Sequence, residues 1–341
     1  MQKKSSFNSF APQILKIYHR DKESFWAAVT APFLSDTTTF LDWVKNVNID
    51  IGLLAAFTGL DKEAKQLLME FSAQFGVDVN QWPSNRLQYF KDAYPVFAFL
   101  AVWMDEMGLE EYVSSFGDIL RAGVFAVAGY GILDENVDSN SPSPVEILVA
   151  QALLAEYETR ALKVFGVSEI NLEIMQKMRI LFLGAEIKEK QTRGKVSPYR
   201  VDNPKDLGTK GANSVTPFML SLEKLGKSSL IDDYWEVFLL FGAAIQMIDD
   251  WSDLEKDLAS GHFSYVTLGV SQELLNDEPK STAALLRADQ NKVREIYSCS
   301  KELINHAREI LQRLNDGYLT RLVDVTEARL DSYFRKDLKM Q

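Results

Sequence analysis

Apolar residues recur at helical spacing along most of the chain, and the alternation typical of strands is almost absent. No Asn-Gly or Asp-Gly pair joins two alternating apolar runs, so no β-hairpin is predicted. No glycine-rich loop follows a strand-like segment, so neither a P-loop nor a Rossmann domain is predicted. The pattern therefore predicts an all-α protein. The expected helices span residues 21–30, 37–47, 61–75, 85–107, 111–138, 144–165, 169–192, 209–226, 230–259, 282–315 and 318–338.

Short helix breakers, rather than a long linker, separate these helices, and no repeat of solenoid length is present. We therefore expect one domain over residues 1–341. Pro95 and Pro217 fall inside periodic stretches and are expected to kink or restart those helices. The segments 122–133 and 236–248 are apolar over much of their circumference, which is typical of the inner helices of a large bundle.

The composition narrows the range of functions. Apolar residues make up 46% of the chain and charged residues 25%, as in ordinary globular proteins. With 48 acidic and 37 basic residues the formal net charge is −11, which argues against a nucleic-acid partner. The single cysteine excludes a disulfide framework and a cysteine-based zinc site, and the three histidines are too scattered to indicate a histidine-rich metal site.

The lengths of the apolar runs bear on localisation. They reach only about a dozen residues, whereas a transmembrane helix needs about 20. The first residues lack the apolar core of a signal peptide. We therefore expect no transmembrane segment and a soluble, cytoplasmic protein.

Two of the most apolar helices end in clusters of acids. These acids are Asp134, Glu135 and Asp138 in the first cluster and Asp249, Asp250, Asp253 and Asp257 in the second. Residues four apart share a helix face, where like charges cost about 0.2–0.5 kcal/mol per pair in water. A divalent cation would remove this repulsion, and carboxylate oxygens suit Mg²⁺ or Mn²⁺.

The alternative is that both clusters are merely solvated acidic helix ends. In a chain with this many acids a loose acid-acid-x-x-acid pattern is expected about once by chance. Asp105-Glu106, followed by Glu110-Glu111, is such a match, and Gly108 interrupts it. The strict Asp-Asp-x-x-Asp of residues 249–253 is rarer, and its place at the end of an apolar helix favours a metal site.

These residues resemble a known family. Gln246-Met-Ile-Asp249-Asp250-Trp-Ser-Asp253 resembles the second aspartate-rich motif of the class I isoprenoid synthases, which include trans-prenyltransferases and terpene synthases. Asp134-Glu135-Asn-Val-Asp138 resembles the first motif, with Glu135 in place of an aspartate. The resemblance spans about residues 120–270, and further similar segments are 150–154, 182–186, 210–214 and 261–265.

The resemblance implies an isoprenoid synthase-type helical bundle around a central apolar cavity, with the two acidic clusters facing each other at its mouth. It implies that the seven acids hold Mg²⁺, three ions in the family, which bind a prenyl diphosphate substrate. The implied catalytic residues are Asp134, Asp138, Asp249, Asp250 and Asp253. The implied reaction is ionisation to an allylic carbocation in a water-excluded chamber. Relatives often form homodimers.

Further residues are candidates for binding the substrate. By position in the motifs, the resemblance implies Lys210 and Gln246 near the diphosphate, Arg200 as a diphosphate-sensing arginine, and Arg329 with Tyr333 as a C-terminal pair. Aromatic faces stabilise cations, which makes Phe125 and Tyr130 candidates, together with Phe241 and Trp251. The alternative reading is surface ion pairs for the charged residues and core packing for the aromatic ones. Gly129, Gly131 and Gly242 suggest room near the clusters.

Departures from the family pattern bear on the subtype. The segment Ser139–Pro144 contains no base where prenyltransferases have Arg-Arg-Gly, and Thr58–Lys62 does not match their Gly-Lys-Arg segment. A single diphosphate site favours a terpene synthase, which cyclises its substrate or eliminates a proton. The form of the second motif instead favours a prenyl diphosphate synthase or a head-to-head prenyltransferase. A non-catalytic partner subunit of a prenyltransferase and a helical interaction protein stay open as alternatives.

Overall fold

Helices form the regular structure of the protein. The computed structural model describes residues 5–23, 25–26, 51–82, 84–109, 115–139 and 141–338, and these ranges contain no β-strand. The prediction of an all-α protein is confirmed. The chain forms two compact units, of which the first comprises Met1–Met175 and Leu220–Lys227 and the second Gln176–Met219 and Ser228–Gln341. The single domain, the bundle type and the central cavity stay predictions.

The α-helices are numbered in chain order over the described residues. They are α1 (Ser6–Arg20), α2 (Ile51–Ser72), α3 (Ser84–Glu106), α4 (Phe116–Asp138), α5 (Pro144–Phe165), α6 (Glu169–Thr192), α7 (Ala212–Lys224), α8 (Ile231–Ser252), α9 (Leu254–Ser260), α10 (Gln272–Leu275), α11 (Pro279–Ala288), α12 (Gln290–Leu314) and α13 (Gly317–Asp337). Short 3₁₀ segments are Ala73–Phe75, Val79–Gln81, Pro204–Gly211, Ser228–Leu230 and Tyr265–Thr267.

The first unit is built around α4, which packs against α1, α3 and α5. Its largest fully buried side chains include Phe10, Trp103 and Phe125. The Glu63 carboxylate of α2 accepts hydrogen bonds from the amides of Ser6 and Phe7, and so satisfies donors at the start of α1 that have no partner within the helix.

The second unit is built around α8, which packs against the 3₁₀ segment Pro204–Gly211 and against α12. A Cβ on Gly208 would come within 2.1 Å of the Leu239 carbonyl oxygen, so only glycine allows this close approach. Gly242 faces the Gly208 backbone from α8, and a Cβ on Gly129 would meet Leu154 Cγ at 2.7 Å. Leu154 therefore fills the space beside Gly129, whereas a Cβ on Gly242 would make only ordinary contacts at 3.5 Å. The expected room for a ligand near the clusters stays a prediction.

Several helix boundaries differ from the predicted ones. The predicted helix 230–259 breaks at Asp253, and the predicted helix 282–315 breaks at Asp289, whose side chain caps α12 by accepting from the amides of Asn291 and Lys292. Helix α1 was not predicted, although its buried positions follow helical spacing around Pro12. Residues 27–30 and 37–47 of the first two predicted helices lie outside the described residues.

The two internal prolines do not interrupt their helices. Helix α7 continues through Pro217 and α3 through Pro95. Proline removes one amide donor, which at Pro217 would have bonded the Asn213 carbonyl. The Thr216 hydroxyl donates to that carbonyl at 3.0 Å instead. The helix therefore keeps this acceptor satisfied without a restart.

One helix of the described chain is long and apolar enough to cross a membrane. It is α4, over Phe116–Val137, and 61% of its apolar stretch is buried inside the structure. Its uninterrupted apolar run is shorter than the helix, because Asp118 and Arg121 interrupt it. Burial of this extent is consistent with the core helix of a soluble protein.

Candidate active site

The second acidic cluster lies at the carboxyl end of α8. Apolar residues bury most of the circumference of this helix, among them Phe238, Ala244 and Met247. Its first turn carries Asp232 and Asp233, which suit the positive end of the helix dipole. No such favourable field exists at the last turn, where Asp249 and Asp250 lie. Acids at this end therefore oppose the local electrostatics of the helix.

The four acids of this cluster have different environments. Asp249 is exposed, and the Asp253 side chain is 47% exposed and forms an ion pair with Lys256 at 3.1 Å. Asp250 is 3% exposed. The Asp257 side chain is only 14% exposed and lies beside His262. The helical spacing therefore leaves Asp249 and Asp253 accessible while it turns Asp250 into the core.

A glycine brings His262 next to Asp257. Helix α9 ends at Gly261, whose φ of 71° lies in the left-handed region that favours glycine. The Gly261 amide donates to the Leu258 carbonyl, and the His262 amide donates to the Asp257 carbonyl at 2.8 Å, which together form a Schellman motif. This turn folds His262 back onto the last turn of the helix, where Nδ1 lies 3.7 Å from Asp257 Oδ1.

Glu189 of α6 forms ion pairs with two basic side chains near this cluster. Its Oε2 lies 3.0 Å from Lys210 Nζ and 3.0 Å from His262 Nε2. The Tyr199 hydroxyl donates to Oε1 of the same carboxylate. The Glu189 side chain is only 6% exposed, so its charge depends on these partners. We call the group formed by Glu189, Tyr199, Lys210, Asp257 and His262 the charge network.

The pKa values reflect this mutual neutralisation. Burial alone would raise the pKa of Glu189, but His262, Lys210 and Tyr199 lower it to about 2. Burial would lower the pKa of His262, but Asp257 and Glu189 raise it to about 10. Burial opposes the charged form of Lys210 as well, yet the carboxylates of Glu189 and Asp250 hold its pKa above the ordinary value. All three side chains are therefore charged at neutral pH.

Asp250 is the exception in this region. Gln246 Nε2 donates to Asp250 Oδ1 at 2.8 Å, whereas Oδ2 is buried and accepts no hydrogen bond from the described residues. Burial raises the pKa of Asp250 to about 7, although Lys210 and the hydrogen bond from Gln246 lower it. A buried carboxylate oxygen without a partner is costly, and either a proton or a cation would satisfy it.

The first acidic cluster, at the end of α4, is built differently. Asp134 and Glu135 are half-buried, and the side chain of Asp138 lies outside the described residues. The buried polar residue here is Asn136, which donates to the Ile132 carbonyl at 2.9 Å and to Glu146 at 3.1 Å. Its oxygen accepts from the Ser143 amide at 2.7 Å. Asn136 therefore anchors the connection to α5.

Arg200, Arg329 and Tyr333 are further predicted substrate residues. Arg200 is exposed and forms an ion pair with Asp202 at 2.6 Å, as in the alternative reading of a surface ion pair. Tyr333 packs edge-on against Phe334, and the side chain of Arg329 lies outside the described residues.

Two of the four aromatic candidates, Phe125 and Tyr130, lie in the core of the first unit. Phe125 is fully buried between Phe71 and the Arg160 guanidinium. Tyr130 is buried as well. Their proposed contact with a carbocation stays a prediction.

Three residues of the charge network, Glu189, Tyr199 and His262, were not among the residues predicted for the site. Glu189 follows the buried positions Met178, Phe182 and Ala185 along one face of α6, so an acid on an apolar face was the available signal. Tyr199 lies in an irregular segment, where no periodicity could reveal its burial.

Among the described residues, no group of three or more histidine, cysteine, aspartate or glutamate side chains is arranged to hold a metal ion. Mg²⁺ commonly uses only one or two carboxylates and completes its shell with water and phosphate oxygens. The pair Asp249 and Asp253 therefore fits Mg²⁺ in donor type and number.

Comparisons with known proteins give no assignment. No protein-family model matches the chain, and neither a curated protein nor a solved structure matches it.

Proposed function

We propose that the protein is a Mg²⁺-dependent class I enzyme that ionises an allylic prenyl diphosphate and then cyclises the product or eliminates a proton, as a terpene synthase does. The observation that carries the proposal is the end of α8, where two accessible carboxylates adjoin a buried, charged network. Such an arrangement is costly as a purely structural helix end and is typical of functional sites.

Asp249 and Asp253 are the residues that we propose to hold the metal in this part of the chain. Asp249 is exposed and the Asp253 side chain is about half exposed, so both can exchange water for a hydrated cation. When bound, Mg²⁺ would draw charge from the departing diphosphate, which is the chemistry that ionisation requires.

The charge network supports the proposal through its balance of charges. Lys210 and His262 supply two positive charges, which Glu189 and Asp257 neutralise at distances of 3.0–3.7 Å. Lys256 offsets the charge of Asp253, and Asp249 with the ionised form of Asp250 then leaves a local excess of negative charge. Such an excess attracts a divalent cation and repels a diphosphate anion that has no metal ion bound to it.

The first cluster enters the proposal through the family resemblance. Asp134 and Glu135 are carboxylates at the end of an apolar helix, and we propose them, with Asp138, as the second set of metal ligands. Lys210 and Gln246 keep the proposed role next to the diphosphate, although Lys210 would have to share its charge with Glu189.

A prenyl diphosphate synthase is the second candidate, and one observation favours it. Terpene cyclases typically use three metal-binding positions at i, i+4 and i+8, which here are Asp249, Asp253 and Asp257. Asp257 is mostly buried and adjoins His262. A pair of ligands without the third position is closer to the prenyltransferase form of the motif.

One assay separates these candidates. The purified protein is incubated with Mg²⁺ and prenyl diphosphates of increasing length, with and without isopentenyl diphosphate, and the products are identified by mass spectrometry. We expect a hydrocarbon or alcohol without isopentenyl diphosphate. A longer diphosphate formed only with isopentenyl diphosphate would establish the second candidate. Absence of turnover in every combination would contradict both and favour a non-catalytic subunit or interaction protein.

A further inference from the structure

The end of α8 is held by an arginine from another helix. Arg287 lies on α11 and is half-buried. Its Nη2 donates to the Trp251 carbonyl at 3.1 Å and to the Ser252 carbonyl at 3.0 Å. The last carbonyls of a helix have no partners within the helix, and a cation at this end is also favoured by the helix dipole. Arg287 therefore caps α8 within the aspartate-rich segment.

The cap lies at the break between α8 and α9. The chain leaves helical geometry at Asp253, yet the Asp253 amide still donates to the Asp249 carbonyl at 2.8 Å. The Asp257 amide likewise donates to the Asp253 carbonyl at 2.9 Å. The hydrogen bonds that align these three aspartates thus continue across the break, and the two carbonyls that Arg287 binds lie between Asp250 and Asp253.

We infer that Arg287 is a positioning residue for the proposed metal ligands. By holding the Trp251 and Ser252 carbonyls, it fixes the backbone at the break so that Asp249 and Asp253 stay on one face. Arg287 acts through backbone groups and need not contact the metal or the substrate. The inference rests on the proposed function, because it concerns the geometry of the carboxylates that we assign to Mg²⁺.

The sign of the effect on metal binding distinguishes positioning from simple electrostatics. A guanidinium near a cation site repels the cation, so its removal alone would tighten metal binding. If Arg287 positions the carboxylates, its removal would instead weaken metal binding. Groups that orient metal ligands typically contribute 10–100-fold to affinity. We therefore expect Arg287→Ala to raise the Kd for Mn²⁺ by about 10-fold or more.

The experiment measures Mn²⁺ alone binding to the full-length protein by electron paramagnetic resonance. Arg287→Lys should restore part of the affinity, because an ammonium still donates to a carbonyl. Arg294→Ala removes an equal charge from an exposed site on the neighbouring helix α12 and should leave the Kd unchanged. Hydrogen exchange of the amides in residues 253–258 should accelerate in Arg287→Ala only. If that variant does not fold, Arg287→Gln, which keeps an amide donor, replaces it.

The outcomes separate this inference from the proposed function. Unchanged or tighter Mn²⁺ binding by Arg287→Ala would overturn the positioning role. If Asp249→Ala lost Mn²⁺ binding in the same series, the proposed metal site would nevertheless stand. If the wild-type protein bound no Mn²⁺, with or without added inorganic diphosphate, both the metal site and the role of Arg287 would be overturned.

Discussion

The ends of α4 and α8 share a sequence pattern but differ in the side chain that is buried there and in the groups that contact it. Each is a long apolar helix that runs into a cluster of acids. At the end of α4 the buried polar side chain is the neutral amide of Asn136, and three local groups satisfy it. At the end of α8 the buried side chain is the carboxylate of Asp250, which accepts one hydrogen bond from Gln246 and lies among the charges of Lys210, Asp257 and His262.

The difference shows how much support a buried charge needs. Asn136 finds its partners within about ten residues of chain, and no counter-charge is required. The α8 end draws on Glu189, Lys210 and His262, which lie in separate segments of the chain. Burying several charges costs stability unless they neutralise one another. The retention of such a network beside two accessible aspartates is the reason that the proposed function rests on α8.

Removal of a proposed metal ligand should have the largest effect. We expect Asp249→Ala to lower turnover by about 10²–10³-fold or more, because it removes electrostatic stabilisation of the leaving group. Asp134→Ala should also lower turnover, because we propose Asp134 as a metal ligand. The helical circular-dichroism signal should be unchanged. Glu255→Ala, an exposed acid next to the cluster, is the control. Full turnover by Asp249→Ala would show that the metal assignment is wrong.

Loss of one charge from the network should destabilise the second unit. Lys210→Met leaves Glu189 buried with one cation fewer, and breaking a buried pair typically costs about 3–5 kcal/mol in the free energy of unfolding. Adding Glu189→Gln to Lys210→Met should recover part of that loss. Denaturant unfolding of the single and double variants measures the coupling. Additive effects of the two substitutions would contradict a direct interaction.

The two buried carboxylates should give opposite pH dependences of stability. The pKa of Glu189 is lowered from 4.5 to about 2, so its stabilisation is present above pH 4.5 and is lost as the pH falls towards 2. The pKa of Asp250 is raised from 3.8 to about 7, so its contribution is present below pH 3.8 and is lost as the pH rises through 7. Glu189→Gln should therefore be less stable than wild type above pH 4.5, and this difference in stability should disappear as the pH falls towards 2.

The variant Asp250→Asn tests the pH dependence of stability that we expect from Asp250. It mimics the protonated carboxyl group, so its stability relative to wild type should improve as the pH rises from about 4 to above 7. Thermal unfolding between about pH 2 and pH 8 covers the titration ranges of Glu189 and Asp250 and so measures both variants. The same slope in both would contradict the assignment of the two charges.

The smallest effect should come from the α4 end. Asn136→Ala removes hydrogen bonds and leaves the Ser143 amide without its acceptor, which typically costs about 1–3 kcal/mol. Unlike the network variants, its cost should not vary with pH between 5 and 8, because an amide does not titrate. Asn213→Ala, at a half-buried position in α7, is a matched control in thermal unfolding. A cost as large as that of Lys210→Met would remove the contrast between the two helix ends.

Local signals predicted much of the secondary structure. Helix α5 has its predicted bounds because Ser143 caps its start, Pro144 occupies its first turn and Gly166 follows its end. The breaks at Asp253 and Asp289 were missed because the apolar period continues across both. Helix α1 was missed although its buried residues are regularly spaced around Pro12.

Site residues could be predicted only where the signal lies in residues that are close together in the sequence. The acids at the end of α8 stood out because they follow an apolar run. Which of these acids are buried depends on the rotation of α8 about its axis and on the break at Asp253. The partner of Lys210 was not predictable, because Glu189 is 21 residues away in the chain and joins it only through packing of the unit.

Periodicity and composition thus decided the all-α class, most helices and the location of the acidic runs, because these follow from interactions between residues near in sequence. The burial of Asp250, the charge network behind it and the capping of α8 by Arg287 were decided by tertiary packing. Burial and counter-charge are properties of the space around a side chain, and residues from distant parts of the chain fill that space.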